Sequence, residues 1–346
     1  MLFCVVGTSS SFAYWAFDLA SCVMKLAFDD FHRIHCTGAA EMLVQWENRK
    51  DKPVLFTTDF LEDGLSEILL SSGARIVAVL DSVETAITTA AVLRKMSFVD
   101  CVRHTSLYLA SLDHLLSQDN TLIFGPEYLD ASFDEFIDLF LLSINIKCDA
   151  DQIFQAMRGK NLDWLSSKDV TVREMVELTR QTIPVQDVIS NWSATEMSSF
   201  EVMSNNFHNI LGGNLDNPFV CPLELFHCTS RDFKLSGPID LMGPARLLIW
   251  GPYLYLPKSN WTVTMEFEVT ESLSWNSVTA DILLGGIIAS IGEFDLPVRG
   301  IFSWQMNFQV VDISKSIEVR LLLSRSAIEG RLALRKVEFS LQSARS

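Results

Sequence analysis

The chain of 346 residues has no basic residue before Lys25. Its apolar start therefore does not read as a secretory signal, which opens on positive charge. There is no Cys-x-x-Cys, and the seven cysteines (Cys4, Cys22, Cys36, Cys101, Cys148, Cys221 and Cys228) are scattered and odd in number. That pattern fits reduced thiols and a cytoplasmic protein better than a disulfide framework. No membrane span is expected: Asp18 interrupts the apolar stretch that ends at Phe28, and a buried strand followed by a helix accounts for it. Positive charge is scarce throughout, with 27 Lys and Arg against 43 Asp and Glu, a net charge of −16. The deficit is uneven. Residues 1–150 carry 10 basic against 21 acidic residues (−11), 151–214 carry 5 against 8 (−3), and 215–346 carry 12 against 14 (−2). Such a surface repels phosphate backbones and excludes nucleic acid as a partner.

What is present is a globular composition, 49% hydrophobic and 20% charged, in a chain long enough for two domains. The first 150 residues alternate short apolar runs with amphipathic ones. Leu2–Val6, Arg33–Cys36, Pro53–Thr57, Arg75–Leu80 and Thr121–Phe124 read as strands. Phe12–Phe28, Ala39–Asn48, Phe60–Ser71, Val83–Lys95, Val99–Ser117 and Ser132–Leu142 read as helices, the last capped by Ser132. That order predicts a parallel α/β sheet. Residues 158–214 read as a polar, Ser- and Asn-rich helical connector ending at Gly212-Gly213. Beyond it the period changes to two. Ala245–Trp250, Tyr253–Leu256, Trp261–Val269, Ala280–Ala289, Phe302–Val311, Ser316–Leu323 and Arg331–Leu341 predict an antiparallel β-sandwich, jelly-roll-like. The expected organisation is thus an α/β domain over 1–157, a connector over 158–214 and a sandwich over 215–346.

One loop could carry chemistry in the first half. Gly7, Thr8, Ser9, Ser10 and Ser11 follow an apolar strand and open a helix, the place where backbone N–H groups hold a phosphate. A full phosphate-binding loop adds a second glycine and a Lys or Arg, and neither stands here. The alternative is an ordinary βα turn with a Ser or Thr cap. Asp59 and Glu62 read either as a carboxylate pair or as partners of a helix N-terminus. His32, His35 and Cys36 have no second cluster at metal spacing.

Element order and three local stretches resemble the sulfotransferase family over roughly residues 1–157. Val5 to Ser11 sits where that family has its 5′-phosphosulfate loop. "ARIVAVLDSVETAITTA" fills the place of a buried strand with an Arg-Asp-Pro-like helix start, and "TLIFGPEYLDASFDEFIDLFLLSI" carries Glu127 and Leu129 in register with a later Tyr-Glu-x-Leu-like element. The resemblance implies a P-loop-type fold with a sulfonucleotide at Gly7–Ser11 and Thr88, the latter in place of a serine. It also places the departures. Leu80 stands where an arginine would meet the 3′-phosphate, and the loop has no cation. Losing several charge-assisted contacts, each worth about 1.5–3 kcal/mol, should abolish tight donor binding, so no cofactor is expected.

The second half resembles β-sandwich modules that accompany bacterial polysaccharide-synthesis and glycosyltransferase proteins, through Gly251-Pro252-Tyr253, Leu256-Pro257 and Gly330-Arg331-Leu332 within residues 237–341. Trp250, Tyr253, Tyr255 and Trp261 could form an aromatic platform for a sugar, with Arg325 and Arg331 as polar neighbours. The alternative is that these aromatics fill the sandwich core. Together the two halves imply an accessory protein of bacterial surface-polysaccharide synthesis whose partner is a glycan or a synthesis enzyme. An active glycan-modifying sulfotransferase-like transferase and a purely structural scaffold are the alternatives.

Overall fold

The computed structural model describes residues 1–342 apart from 63, 117, 159–169, 181–182, 230–234 and 236. The chain divides into two compact units, one of residues 1–96 with 114–190 and one of 97–113 with 191–346. Part of the expected connector, 159–169, lies outside the described residues.

The first unit is α/β. In chain order its elements are β1 (Leu2–Gly7), α1 (Ser11–Phe28), β2 (His32–His35), α2 (Ala39–Glu47), β3 (Val54–Thr58), α3 (Leu65–Ser71), β4 (Ile76–Val79) and α4 (Val83–Leu93). The helix α5 (Phe98–Leu116) follows and belongs mostly to the second unit. The chain then returns with β5 (Thr121–Phe124), α6 (Phe133–Ile144), α7 (Ala150–Arg158), α8 (Val172–Thr179) and α9 (Val185–Ile189). The five strands are parallel, in the order β2-β3-β1-β4-β5. The central strands β3, β1 and β4 are apolar and buried almost throughout, as strands covered on both faces must be. Phe12, Trp15, Phe124, Phe133, Phe136 and Phe140 anchor the core beneath α1 and α6. Ser132 caps α6 as expected, in a reciprocal box with Glu135.

The expected helix over Phe60–Ser71 begins only at Leu65. The Thr58 hydroxyl donates to the Phe60 carbonyl at 2.6 Å and accepts from the Phe60 N–H at 3.2 Å. That local turn competes with helix, and the helix starts after Gly64, whose φ of 74° only glycine adopts freely. No helix among the described residues is long and apolar enough to cross a membrane.

The second unit adds α10 (Ala194–Leu211) to α5 and to a two-sheet β structure. Its strands are β6 (Phe219–Cys221), β7 (His227–Cys228), β8 (Ile239–Asp240), β9 (Arg246–Leu254), β10 (Ser259–Glu271), β11 (Ser277–Leu284), β12 (Ile287–Asp295), β13 (Gly300–Val310), β14 (Ile317–Leu323) and β15 (Arg331–Leu341). One sheet runs β13-β10-β15-β6, with β8 also on β15; the other runs β12-β11-β14-β9-β7. Two four-stranded sheets, β6-β15-β10-β13 and β9-β14-β11-β12, make the strand order of a jelly roll. Alternation sets the inner face: Trp261, Val263, Met265, Phe267 and Val269 of β10 are buried, and so are Ile317, Val319, Leu321 and Leu323 of β14.

Two strand expectations need correction. Ala280–Ala289 is not one strand but a hairpin, turned at Gly285-Gly286 with φ of 57° and 85°, the double-glycine geometry of a tight turn. Ala245–Trp250 and Tyr253–Leu256 are not separate. They join in β9, which runs through Gly251-Pro252 and carries an extra residue at Tyr253, where Ile317 pairs with Leu254 but Glu318 with Pro252. This is a β-bulge.

Candidate functional site

In the first unit, β1 sends its chain towards β2 on one side of the sheet, while β4 sends its chain to β5 on the other. The carboxyl ends of β1 and β4 therefore flank the switch point where open α/β sheets bind ligands. The loop Gly7–Ser11 lies there, as expected, but the hydroxyls of Thr8, Ser9 and Ser10 turn inward. The Thr8 N–H donates to the Val79 carbonyl at 3.1 Å, and its hydroxyl accepts from the Asp81 N–H at 2.9 Å. Ser9 donates to Asp59 Oδ2 at 2.9 Å. Ser10 is the N-cap of α1 and accepts from the Ala13 N–H at 3.1 Å. Thr8, Ser9 and Ser10 are all buried. Gly7 answers to packing: a Cβ there would lie 2.5 Å from the Ala13 Cβ and 2.9 Å from the Val79 carbonyl.

Asp59 is the centre of a small network that sequence reasoning missed. Its Oδ2 accepts from Ser9, from the Tyr14 hydroxyl at 2.5 Å and from Arg94 Nη2 at 3.1 Å. It is neither paired with Glu62 nor placed at a helix start; Glu62 instead accepts from Thr37 at 3.3 Å. Burial pushes the Asp59 carboxyl up, but the Tyr14 and Ser9 hydroxyls and the Arg94 charge together hold it below its ordinary value. Burial and the neighbouring carboxylate raise Tyr14. The cation and the carboxylate satisfy one another instead of facing a phosphate.

The remaining first-half residues are placed as follows. Thr88 is fully buried and donates to its own helix, to the Glu84 carbonyl at 2.8 Å. Leu80 is buried, its N–H donating to the Phe124 carbonyl at 2.8 Å. The imidazoles of His32 and His35 contact the Gln45 carbonyl and the Thr57 hydroxyl, each at 3.0 Å.

Beside the loop is a cavity of about 340 Å³. Ser11 and Phe12 line it from the start of α1, Asp81 from the loop after β4, Thr85 from α4, Leu129 from the segment after β5, and Arg173, Glu177 and Pro184 from α8 and the chain beyond it. Asp81 is only 9% exposed, and its Oδ1 accepts from the Ser82 N–H at 2.7 Å. Burial raises its pKa. Arg173, the basic residue of the lining among the described residues, is already bonded to Asp130 at 2.9 Å.

The second unit has a different kind of surface. On the outer face of the β9 sheet, register places His227, Trp250, Arg320, Asp281 and Ile291 in one row across five strands. Trp250, Tyr253 and Tyr255 are half-buried, while Leu254 and Leu256, alternating with the tyrosines, are buried. Tyr253 donates to Glu318 at 2.8 Å and lies under the Arg103 guanidinium, 5.0 Å from the ring centre. Burial and that carboxylate push its hydroxyl up to about 12. Arg320 binds Asp281 through two contacts, 2.8 and 2.6 Å. The His227 ring lies 5.8 Å from that of Trp250.

The Gly-Pro-Tyr motif has a packing role. Gly251 has φ of 138°, and a Cβ on it would lie 2.7 Å from the Leu225 carbonyl. The Pro252 carbonyl accepts from Arg103 Nε at 3.0 Å, and the Tyr255 N–H donates to the Ser106 hydroxyl at 3.2 Å. These contacts seat α5 on β9. Not all of the expected platform assembles. Trp261 is 1% exposed on the inner face of the other sheet, its Nε1 donating to the Pro257 carbonyl at 3.0 Å; it is core because alternation along β10 points it inward. Arg325 is exposed between β14 and β15, and Arg331 starts β15, away from the sheet of Trp250.

No protein-family model and no curated protein matches the chain. Among solved structures, mouse sulfotransferase SULT7A1 complexed with PAP is 12% identical, covers 62% of this chain and 84% of its own, and has a TM-score of 0.40. The CBM36-1 domain of a multidomain xylanase from the hindgut metagenome of Trinervitermes trinervoides is 10% identical, covers 37% of this chain and 100% of its own, and has a TM-score of 0.27. The xylan-binding module CBM15 is 9% identical, with 37% and 99% coverage and a TM-score of 0.27. Likenesses this distant say nothing of activity. The parallel α/β sheet and the jelly-roll order stand on the strand pairings themselves.

Proposed function

We propose that this chain is a glycan-binding accessory protein of bacterial surface-polysaccharide synthesis, working in the cytoplasm beside a synthesis enzyme, with an α/β unit that holds no sulfonucleotide. The observation that carries the glycan part is the half-buried Trp250 on the outer sheet face, in one row with His227 and Arg320. A sugar stacks its C–H face on such a ring and gives its hydroxyls to planar polar groups beside it, here Arg320 and the nearby Glu318. The degenerate donor site is supported by the inward hydroxyls of Thr8, Ser9 and Ser10 and by the acidic neighbours Asp59 and Asp81. A phosphate arriving there would meet two carboxylates and a loop without a cation. Of the residues expected at the platform, Trp250 and Tyr253 remain in the proposed site. A glycan array with the full chain tests the proposal. Retention of at least one bacterial-type polysaccharide, weakened in Trp250→Ala, is the expected result; an array on which nothing is retained removes it.

The second reading is an active sulfotransferase-like transferase. The cavity at the switch point, with Arg173 in its wall, is the observation that favours it. Transfer of labelled sulfate from a sulfonucleotide to a glycan would establish that reading.

A further inference from the structure

The cavity beside the β1 loop occupies the place where an open α/β sheet receives its ligand, yet its chemistry does not suit the ligand that place usually takes. Two carboxylates, Asp81 and Glu177, line it. Among the described residues its one guanidinium, Arg173, already bonds Asp130 at 2.9 Å. The excess of negative charge opposes a phosphate or sulfate group. At about 340 Å³ the cavity is nonetheless within the range of small-molecule sites. The other described walls divide into hydroxyls, from Ser11 and Thr85, and apolar surface, from Phe12, Leu129, Val176, Ile183 and Pro184.

We propose that this crevice binds a neutral, hydroxyl-rich molecule of mono- or disaccharide size in place of a nucleotide. A carboxylate accepts hydrogen bonds from hydroxyl groups, as a phosphate cannot donate them. Asp81 is held ready for this. Its backbone N–H is tied to Thr8 at 2.9 Å and its Oδ1 to the Ser82 N–H at 2.7 Å, which fixes the side chain at the mouth of α4. Thr85, in the first turn of α4, lies 2.9 Å from the Ser82 hydroxyl, and its side chain and that of Ser10 also bond the Asp81 carboxylate, so the group is oriented from three sides. Phe12 and Leu129 supply the apolar wall for the C–H face. The ligand is either a free sugar or the end of a glycan chain, which share this chemistry.

Saturation-transfer NMR on the full chain tests the proposal with glucose, galactose, mannose and cellobiose as free sugars, cellotetraose as a chain end, and 3′,5′-diphosphoadenosine as the anionic probe. Transfer to at least one sugar is expected, with binding about tenfold weaker in Asp81→Asn and in Thr85→Val, the loss of roughly one hydrogen bond. Thr85→Val keeps the volume and covers the case in which Asp81→Asn does not fold. Transfer to a hexose identifies a free sugar, and transfer to cellotetraose alone identifies a chain end. The proposal is independent of the sandwich face: Trp250→Ala should leave crevice binding unchanged even where it abolishes polymer retention. Absence of transfer to every sugar, transfer equal in wild type and Thr85→Val, or displacement of the sugar by diphosphoadenosine would each overturn it.

Discussion

The β1 loop of the α/β unit and the outer face of the β9 sheet contain the same kinds of groups, carboxylates, guanidinium and aromatic rings, arranged to opposite ends. Around the loop the hydroxyls of Thr8, Ser9 and Ser10 bond inward, and Asp59 collects three donors on a single oxygen. On the sheet face Trp250 and Tyr253 stay half-buried beside Arg320 and Glu318. A Gly-Thr-Ser-Ser-Ser stretch after a strand thus has the outline of an anion site without its capacity. The partners of its hydroxyls decide the matter.

The comparison breaks or sharpens first at the tryptophans. Trp261→Ala should cost about 3–5 kcal/mol of stability, as for other fully buried aromatics, and leave a cavity under β10. Denaturant melts of the full chain would show it. A loss no greater than that of Trp250→Ala would mean that the inner and outer faces of the sandwich are misassigned. Gly251→Ala is next. With φ of 138° and a Cβ placed 2.7 Å from the Leu225 carbonyl, it should lose about 1–3 kcal/mol or more and loosen α5 from β9, read by hydrogen exchange of residues around Ser106.

Asp59→Asn removes the carboxylate that satisfies Tyr14, Ser9 and Arg94, and about 1–3 kcal/mol should go with it at neutral pH. Burial works against ionisation at Asp59, but the hydroxyl donors and Arg94 win, and its pKa lies below the ordinary 3.8. Its contribution is therefore full above 3.8 and is lost as pH falls through the lower folded value. The gap between wild type and Asp59→Asn should close in acid. Asp81 has the opposite sign. Burial sets its pKa above 3.8, so its ionisation opposes folding, and the penalty grows as pH rises from 3.8 through the folded value. Asp81→Asn should gain on wild type over that same rise. Parallel pH slopes for the two variants would show that the two carboxylates do not differ as described. Smallest in stability but decisive for function, Trp250→Ala should weaken glycan binding by roughly 1–3 kcal/mol, by analogy with stacking on other ligands.

Much of the fold was legible because the pattern is local. The apolar runs of β1 and β4, the Ser132 cap and the alternation of β10 and β14 each carry their own signal over a few residues. The extra strand β12 was hidden because its side chains are mostly exposed or half-exposed, so it shows no buried face to alternate. The short strand β6 is defined by its pairing with β15, more than a hundred residues on. The role of α5 on β9 rests on Arg103 and Ser106 meeting Pro252 and Tyr255, a separation of 149 residues that no periodicity reveals. At the candidate sites the residue types were visible and their orientations were not. The three serines and the threonine could be read as phosphate ligands or as turn residues. Asp59 lies 50 residues from Ser9, and only the parallel pairing of β1 with β3 brings them together.

Isothermal titration of the full chain with 3′,5′-diphosphoadenosine tests most directly whether the β1 loop has exchanged an anion site for internal hydrogen bonds. Asp59, Asp81 and the buried hydroxyls predict no binding at micromolar nucleotide. A dissociation constant in the low micromolar range, about −8 kcal/mol, would contradict that prediction and show that the loop opens to a phosphate despite its acidic neighbours.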